Sequence, residues 1–175
     1  MLKLIGALAI VAASAGFLSE WRKNCLLRIR QMEQICALLR KAYHEMETER
    51  IHMPVFFERY AKTDHEKENA VAKMAGKLGE FLCNHTYASG EEAWRQAFLY
   101  TEEKWYLQKE EKELLLNAGR AFFGRNLAEN LQKLRLYEEQ MQSCCQSARA
   151  EYTEKNKVMT PVGLLMGVML IVILI

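Results

Sequence analysis

Apolar residues are concentrated at the two ends of the chain, and nearly every charged residue lies between them. Residues 4–18 and 158–175 carry no charge. As helices these two runs would reach roughly 22 and 27 Å, against about 30 Å for the hydrocarbon core of a bilayer. The pattern therefore predicts an N-terminal transmembrane helix over residues 1–20, a C-terminal transmembrane helix over 158–175 and a helical domain over 21–157.

The middle of the chain shows the three- and four-residue spacing of amphipathic helices. Pro54 and Pro161 are the only prolines of the whole chain, and no alternation of apolar and polar residues is long enough for a strand. The first helix is predicted to end before Pro54, which then opens a short second helix. The apolar seam of the first helix consists of Cys25, Ile29, Met32, Cys36, Leu39, Tyr43 and Met46.

Four more helices are predicted from apolar spacing and from residues that favour helix ends. The third covers about residues 66–82, and Ser89 with Glu92 forms a capping box that starts the fourth. The fifth ends at Gly124 as a C-terminal cap, and Asn126 starts a long sixth helix. The predicted fold is all-α: a six-helix, bundle-like soluble domain between two transmembrane helices, with long, antiparallel first and last helices.

Small residues in the two terminal segments suggest how these segments would pack. Gly163 and Gly167 have the small-xxx-small spacing, and Ala9 and Ala13 offer small residues on the other segment. Such residues allow close approach of helices in lipid, although small residues are also common in membrane helices without this role. The sequence leaves both interpretations open.

Positive charge next to the two apolar segments predicts the topology. Lys155 and Lys157 precede the second apolar segment. On the outer sides of the two segments, toward the chain ends, Lys3 is the only basic residue. Because lysine and arginine beside a span tend to stay in the cytoplasm, the middle domain is predicted to be cytoplasmic. The basic residues after the first segment are interpreted as a topology signal and as lipid-headgroup contacts: Arg22, Lys23, Arg28 and Arg30.

An alternative interpretation of the N-terminus is a cleaved signal peptide. Lys3 supplies a positive start, and Ala13-Ser14-Ala15 fits the small-residue pattern of a cleavage site. The chain would then be a secreted helical domain with a C-terminal membrane anchor. The mass of the mature N-terminus distinguishes the two interpretations.

Composition excludes several classes of protein. With 50% hydrophobic and 26% charged residues, the chain of 175 residues is not of the disordered type. Its formal net charge of +2 is too small to indicate a nucleic-acid-binding protein. The five cysteines are odd in number and lack disulfide-framework spacing, so they are predicted to be reduced and mostly buried.

Candidate catalytic and metal-binding patterns are weak. No phosphate-binding loop and no CxxC pair occurs in the sequence. Glu49 and His52 form a Glu-x-x-His pair of the kind that di-iron bundles use, but such a site needs two pairs and no second one is present. Trp94, Trp105, Tyr106, Phe122 and Phe123 are interpreted as core. We therefore expect no catalytic residues, no metal and no cofactor, and a chain that is not an enzyme.

Several short segments resemble one protein family. They are residues 1–7, residues 91–94 at the start of a central helix, Phe123-Gly124 followed by Gln132-Lys133, and residues 154–159 before the apolar tail with Gly163. Together with length and helix order, these segments resemble the stage III sporulation protein AB family of endospore-forming bacteria. The chain departs from that family over residues 24–48 and at Leu127, where the family tends to carry aspartate.

The resemblance implies a role in assembly rather than catalysis. Members of the family belong to the mother-cell complex that forms, with a forespore partner, a channel across the two membranes around the forespore. Their helical domain is similar to the cytoplasmic domains of type II secretion and type IV pilus platform proteins. By this resemblance the expected partners are an ATPase like stage III sporulation protein AA, other membrane subunits and the lipid bilayer, without nucleic acid. The expected location is the mother-cell membrane around the forespore, with the soluble domain in the cytoplasm. Formation of a homo-oligomer is left open.

Overall fold

The described part of the chain consists of helices joined by short non-helical segments. The computed structural model describes residues 2–48, 52–63 and 69–174, with side chains at residues 12–13, 16–48, 52–63, 69–159 and 169. Within these residues the all-α, six-helix part of the prediction agrees with the structure. The helices are α1 (Leu2–Thr48), α2 (Met53–Thr63), α3 (Ala70–Cys83), α4 (Gly90–Tyr100), a 3-10 helix (Glu102–Lys104), α5 (Lys109–Phe122) and α6 (Leu127–Leu174).

The prediction of two transmembrane helices, over residues 1–20 and 158–175, is wrong. In the part of the chain that the structure describes, no helix is both long enough and apolar enough to cross a membrane. The uncharged N-terminal run, residues 4–18, is shorter than the roughly 17–25 apolar residues that a spanning helix needs.

The chain divides into two compact units. The terminal unit consists of Met1–Ile29 with Gln146–Ile175, and the central unit consists of Arg30–Cys145. Helices α1 and α6 contribute residues to both units, whereas α2 to α5 lie in the central unit. The predicted domain borders at residues 20/21 and 157/158 remain predictions.

In the terminal unit, α1 and α6 run antiparallel. The ring of Trp21 stacks on Tyr152 with 6.0 Å between ring centroids. Farther along α1, Nη1 of Arg28 lies 3.6 Å from Oε2 of Glu151, a residue that precedes Tyr152 on α6. Cys25 lies between these two α1 residues, and burial raises the pKa of its thiol.

In the central unit, α1 buries a wider stripe than the predicted seam. Met32, Leu39 and Met46 are buried as predicted, whereas Cys36 and Tyr43 are only half-buried. Helices on more than one side contact α1, so residues beyond the seam are also shielded from solvent. These additional buried residues are Gln31, Ile35, Leu38 and Ala42.

Helices α2 and α3 pack closely because glycines of α3 lie against α2. A Cβ atom at Gly79 would lie 3.2 Å from the backbone nitrogen of Glu58, and one at Gly76 would lie 3.2 Å from Cβ of Ala61. These glycines weaken helix propensity, but they allow the two helices to approach. The third helix begins later than predicted because Oδ1 of Asn69 caps it.

The turn after α3 contains a residue in the left-handed region. His85 has φ of 49°, and the amide of Thr86 donates to the carbonyl of Phe81 at 3.1 Å. We expect His85→Gly to raise the free energy of unfolding by about 0.5–1 kcal/mol, because glycine adopts positive φ without a Cβ clash. Thermal unfolding of the full chain measures this. As a control, Lys73→Gly in the exposed interior of α3 should lower stability by about 1 kcal/mol, and equal losses in both variants would contradict the prediction.

The predicted start of α4 is confirmed, but the predicted cap after α5 is wrong. Oγ of Ser89 accepts a hydrogen bond from the amide of Glu92 at 3.1 Å, whereas Oε1 of Glu92 accepts from Gln96. No described glycine has positive φ, so Gly124 does not form a left-handed cap. Instead the Gly124 carbonyl accepts a hydrogen bond from Nδ2 of the buried Asn130 at 2.9 Å.

An aromatic cluster joins α2, α4 and α5. The ring of Trp94 stacks on Phe122 with centroids 4.9 Å apart, and Phe122 lies 5.3 Å from Phe57. Nε1 of Trp94 donates to the carbonyl of Leu115 at 3.0 Å. Trp94, Trp105 and Phe122 are core residues as predicted, whereas Phe123 is half-buried and Tyr106 is exposed.

A buried glutamine of α1 holds the segment after the 3-10 helix. Nε2 of Gln31 donates to the carbonyl of Lys104 at 2.7 Å, and its Oε1 accepts from the amide of Tyr106 at 2.8 Å. Next to this contact, Trp105 stacks on Phe98 at 5.6 Å. The segment between α4 and α5 is therefore attached to α1 by hydrogen bonds and to α4 by an aromatic contact.

Candidate interaction surface

The central unit carries an open groove along the last turns of α1. Its volume is about 450 Å³. The spacing of its residues is three or four along the helix, which places them on one face. We call this surface the α1 groove, and its lining residues are Ala37, Arg40, Lys41, His44, Glu45 and Thr48.

Arginine side chains pair with the carboxylates in and beside the α1 groove. Nη2 and Nε of Arg40 donate to Oε1 of Glu138 on α6, at 2.6 and 2.9 Å. This hydrogen bond raises the pKa of Arg40. Nη1 of Arg59 on α2 lies 3.5 Å from Oε1 of Glu45. Both carboxylates therefore have a cationic partner.

Lys41 and His44 have no such partner in the described part of the chain. Nζ of Lys41 lies 5.6 Å from the ring centroid of Tyr60. The exposed His44 ring contacts the Tyr43 ring edge-on, with centroids 5.7 Å apart. Among the described residues, no ion pair or side-chain hydrogen bond involves the ammonium group of Lys41 or the imidazole of His44. Both groups can therefore bind a ligand without breaking an existing ion pair.

A second exposed feature is an aromatic cluster at the α3–α4 surface, which we call the Lys77 cluster. Nζ of Lys77 lies 5.0 Å from the ring centroids of both Phe81 and Tyr100, and Tyr87 packs edge-on against Phe81. Tyr100 is 66% exposed. Nζ of Lys77 also donates to Glu80 at 2.9 Å, which raises the pKa of Lys77. The charge of this lysine is thus already compensated.

The four basic residues that follow the first apolar segment differ in exposure and in their contacts. In the terminal unit, Lys23 is exposed, Arg22 is half-buried and Arg28 is directed toward Glu151. Hydrogen bonding by Lys155, together with Arg28, lowers the pKa of Glu151. Arg30 lies in the central unit and is exposed. Their role as topology signal and headgroup contacts remains a prediction.

The other predicted positions lie largely outside the described side chains. This holds for Ala9, Gly163 and Gly167, whereas Ala13 is described and exposed. Glu49 is also outside, and its sequence partner His52 is exposed. Among the residues that the structure does describe, no three His, Cys, Asp or Glu side chains are grouped to hold a metal ion.

The cysteines are free thiols, but the prediction that most of them are buried is wrong. Cys145 is buried, Cys83 is exposed, and the other three are half-buried. Burial raises the pKa of the Cys36 thiol to about 12, and Cys145 and Glu138 add to this effect.

The raised pKa predicts slow alkylation of Cys36. Near pH 8, a pKa of about 12 instead of about 8.5 leaves roughly a thousandfold less thiolate, which is the reactive form. Labelling of the folded chain with iodoacetamide, mapped by mass spectrometry, should therefore modify Cys83 long before Cys36. Cys36 labelling should increase as pH rises, and denaturant should remove the difference. Equal labelling in the folded chain would contradict the prediction.

Comparison with known proteins identifies the family. The family model for Stage III sporulation protein AB matches residues 3–175. A solved structure of Stage III sporulation protein AB (SpoIIIAB) has a TM-score of 0.66 and 18% identity, covering 73% of this chain and 97% of that chain, which supports the fold alone. No curated protein sequence matches significantly. The family consists of sporulation proteins and is not a known enzyme family. The resemblance seen in the sequence is confirmed: the chain belongs to the stage III sporulation protein AB family.

Proposed function

We propose that the chain is a non-enzymatic assembly component of the channel complex between mother cell and forespore. In this role it docks a companion ATPase of the stage III sporulation protein AA type and other membrane subunits. The observation that carries the proposal is the family match over residues 3–175. That match assigns the chain to a sporulation family, and the docking role is our proposal.

The central unit has surfaces suited to docking. Protein interfaces are enriched in tyrosine and arginine, and tryptophan, tyrosine and arginine side chains contribute most of their binding energy. The Lys77 cluster presents Tyr100, and the α1 groove presents Arg40 and Lys41, all on regular helices. These features support a role in protein–protein contact.

We further propose that the chain works at the mother-cell membrane around the forespore. Four large apolar side chains described in the terminal unit are exposed: Phe17 at 69%, Leu26 at 50%, Val158 at 61% and Met169 at 67%. Removing exposed apolar groups of this size from water lowers the free energy of the system. The terminal unit would bury them against membrane subunits and lipid of the same complex.

Affinity capture of the tagged full-length chain from sporulating cells tests the proposal. The expected result is co-purification of the companion ATPase and of membrane subunits, together with recovery of the chain in the membrane fraction. An untagged strain is the control. Failure to capture the ATPase, with both proteins present at normal levels and folded, would contradict the docking role.

A further inference from the structure

We propose that the α1 groove binds a carboxylate-bearing segment of a partner protein, with the ammonium group of Lys41 and the imidazole of His44 as the recognition groups. This inference rests on the function proposed above and takes the companion ATPase as the partner. The groove has about 450 Å³, enough to admit several side chains of a partner segment.

The charge balance of the groove favours an acidic ligand. The cations in and around it are Arg40, Lys41 and Arg59, and the anions are Glu45 and Glu138. Oε1 of each anion lies within ion-pair distance of an arginine, and Oε2 of Glu45 is buried without a hydrogen bond, so the remaining positive charge belongs to Lys41. A carboxylate from a partner would form a charge-assisted hydrogen bond with this ammonium group, and such bonds are stronger than neutral ones.

The Tyr60 ring supports the side chain of Lys41 before binding. The Tyr60 ring below Lys41 is buried, and its hydroxyl donates to the carbonyl of Gln34 at 3.3 Å. The ring therefore forms a fixed support for the lysine side chain. His44 follows Lys41 by three residues on the same helix, so both groups face the groove. The short side chain of Ala37 leaves room for the incoming segment.

The Lys77 cluster is less suited to an acidic ligand. Nζ of Lys77 already pairs with Glu80 and lies between two aromatic rings. A new carboxylate would compete with Glu80 for the same ammonium group. The α1 groove offers a cation without an anionic partner among the described residues, and this difference decides between the two surfaces.

Charge reversal in the tagged full-length chain tests the inference. Lys41→Glu should reduce capture of the companion ATPase at least about tenfold, because it replaces attraction by repulsion at the docking position. Lys41→Gln should give a smaller loss in the same direction. The matched control is Lys62→Glu on α2, where the lysine is 74% exposed and pairs with Glu58 one turn away. Far-UV circular dichroism and unfolding midpoints verify that each variant is folded.

Photo-cross-linking separates failure of the groove from failure of the proposed function. A photoreactive residue at position 44 should give adducts with the ATPase, whereas one at position 62 should not. Normal capture by Lys41→Glu, or adducts from position 62 alone, would overturn the groove as docking site and leave the docking function intact. Adducts from position 44 only within the chain or to a second copy would also overturn it. Absence of ATPase capture by the wild-type chain would overturn the proposed function itself.

Discussion

Trp94→Ala is expected to lower the free energy of unfolding by about 3–5 kcal/mol. Trp94 is 1% exposed and contacts Phe122 and Phe57, with ring centroids 4.9 and 6.1 Å away. Truncation removes the indole ring from the centre of the aromatic cluster and leaves a cavity that three helices enclose. The lost burial and the cavity both destabilise the fold.

Denaturant unfolding of the full chain, followed by circular dichroism, measures the effect of Trp94→Ala. Trp94→Phe keeps an aromatic ring but removes the hydrogen bond to the Leu115 carbonyl, so we expect a loss of about 1–2 kcal/mol. The matched control is Tyr100→Ala on the same helix, which is exposed and should change stability by no more than about 0.5 kcal/mol. Similar losses in Trp94→Ala and Tyr100→Ala would show that the cluster is not a stability centre.

The environment of Trp94 also shows what a sequence pattern does not reveal. A Cβ atom at Gly119 would lie 2.6 Å from Cδ1 of Trp94, so α5 can approach the indole only with glycine at this position. In the sequence, Gly119 is merely a residue of low helix propensity. Its partner is on another helix, and local spacing contains no information about that contact.

Helix starts could be predicted because they depend on neighbouring residues. Ser89 caps α4 through an amide three residues away, and Asn126 accepts from the amide of Ala128 at the start of α6. The cap at Asn69 follows the same rule, although the start of this helix was predicted at residue 66. Existence and order of the helices were therefore accessible from local chemistry.

Burial and the candidate site could not be predicted in the same way. Cysteine is a residue type that is usually buried, but Cys83 is the last residue of α3 and is exposed. Tyr106 is exposed although both of its neighbours in the sequence are buried. The α1 groove depends on ion pairs between distant residues, since Arg40 and Glu138 are 98 positions apart. No spacing rule connects them, so the groove was not among the predicted sites.

Gln31→Leu is expected to lower the free energy of unfolding by about 2–4 kcal/mol. The buried amide of Gln31 satisfies one backbone acceptor, the carbonyl of Lys104, and one backbone donor, the amide of Tyr106. Leucine has nearly the same volume but leaves both partly buried groups without a hydrogen bond, and each costs about 1–3 kcal/mol. Denaturant unfolding of the full chain measures the loss, with the exposed Gln140→Leu on α6 as the control.

Gln31→Glu separates the hydrogen bonds from simple packing. The carboxylate can still accept from the Tyr106 amide, but it faces the Lys104 carbonyl oxygen, which repels it. Protonation restores a donor at this position, so the carboxyl pKa of the folded variant should be raised above the unfolded value. The variant should therefore be closest to the parent chain at low pH and lose stability as pH rises through the raised folded pKa. The same difference in stability at every pH would show that Gln31 acts by volume alone.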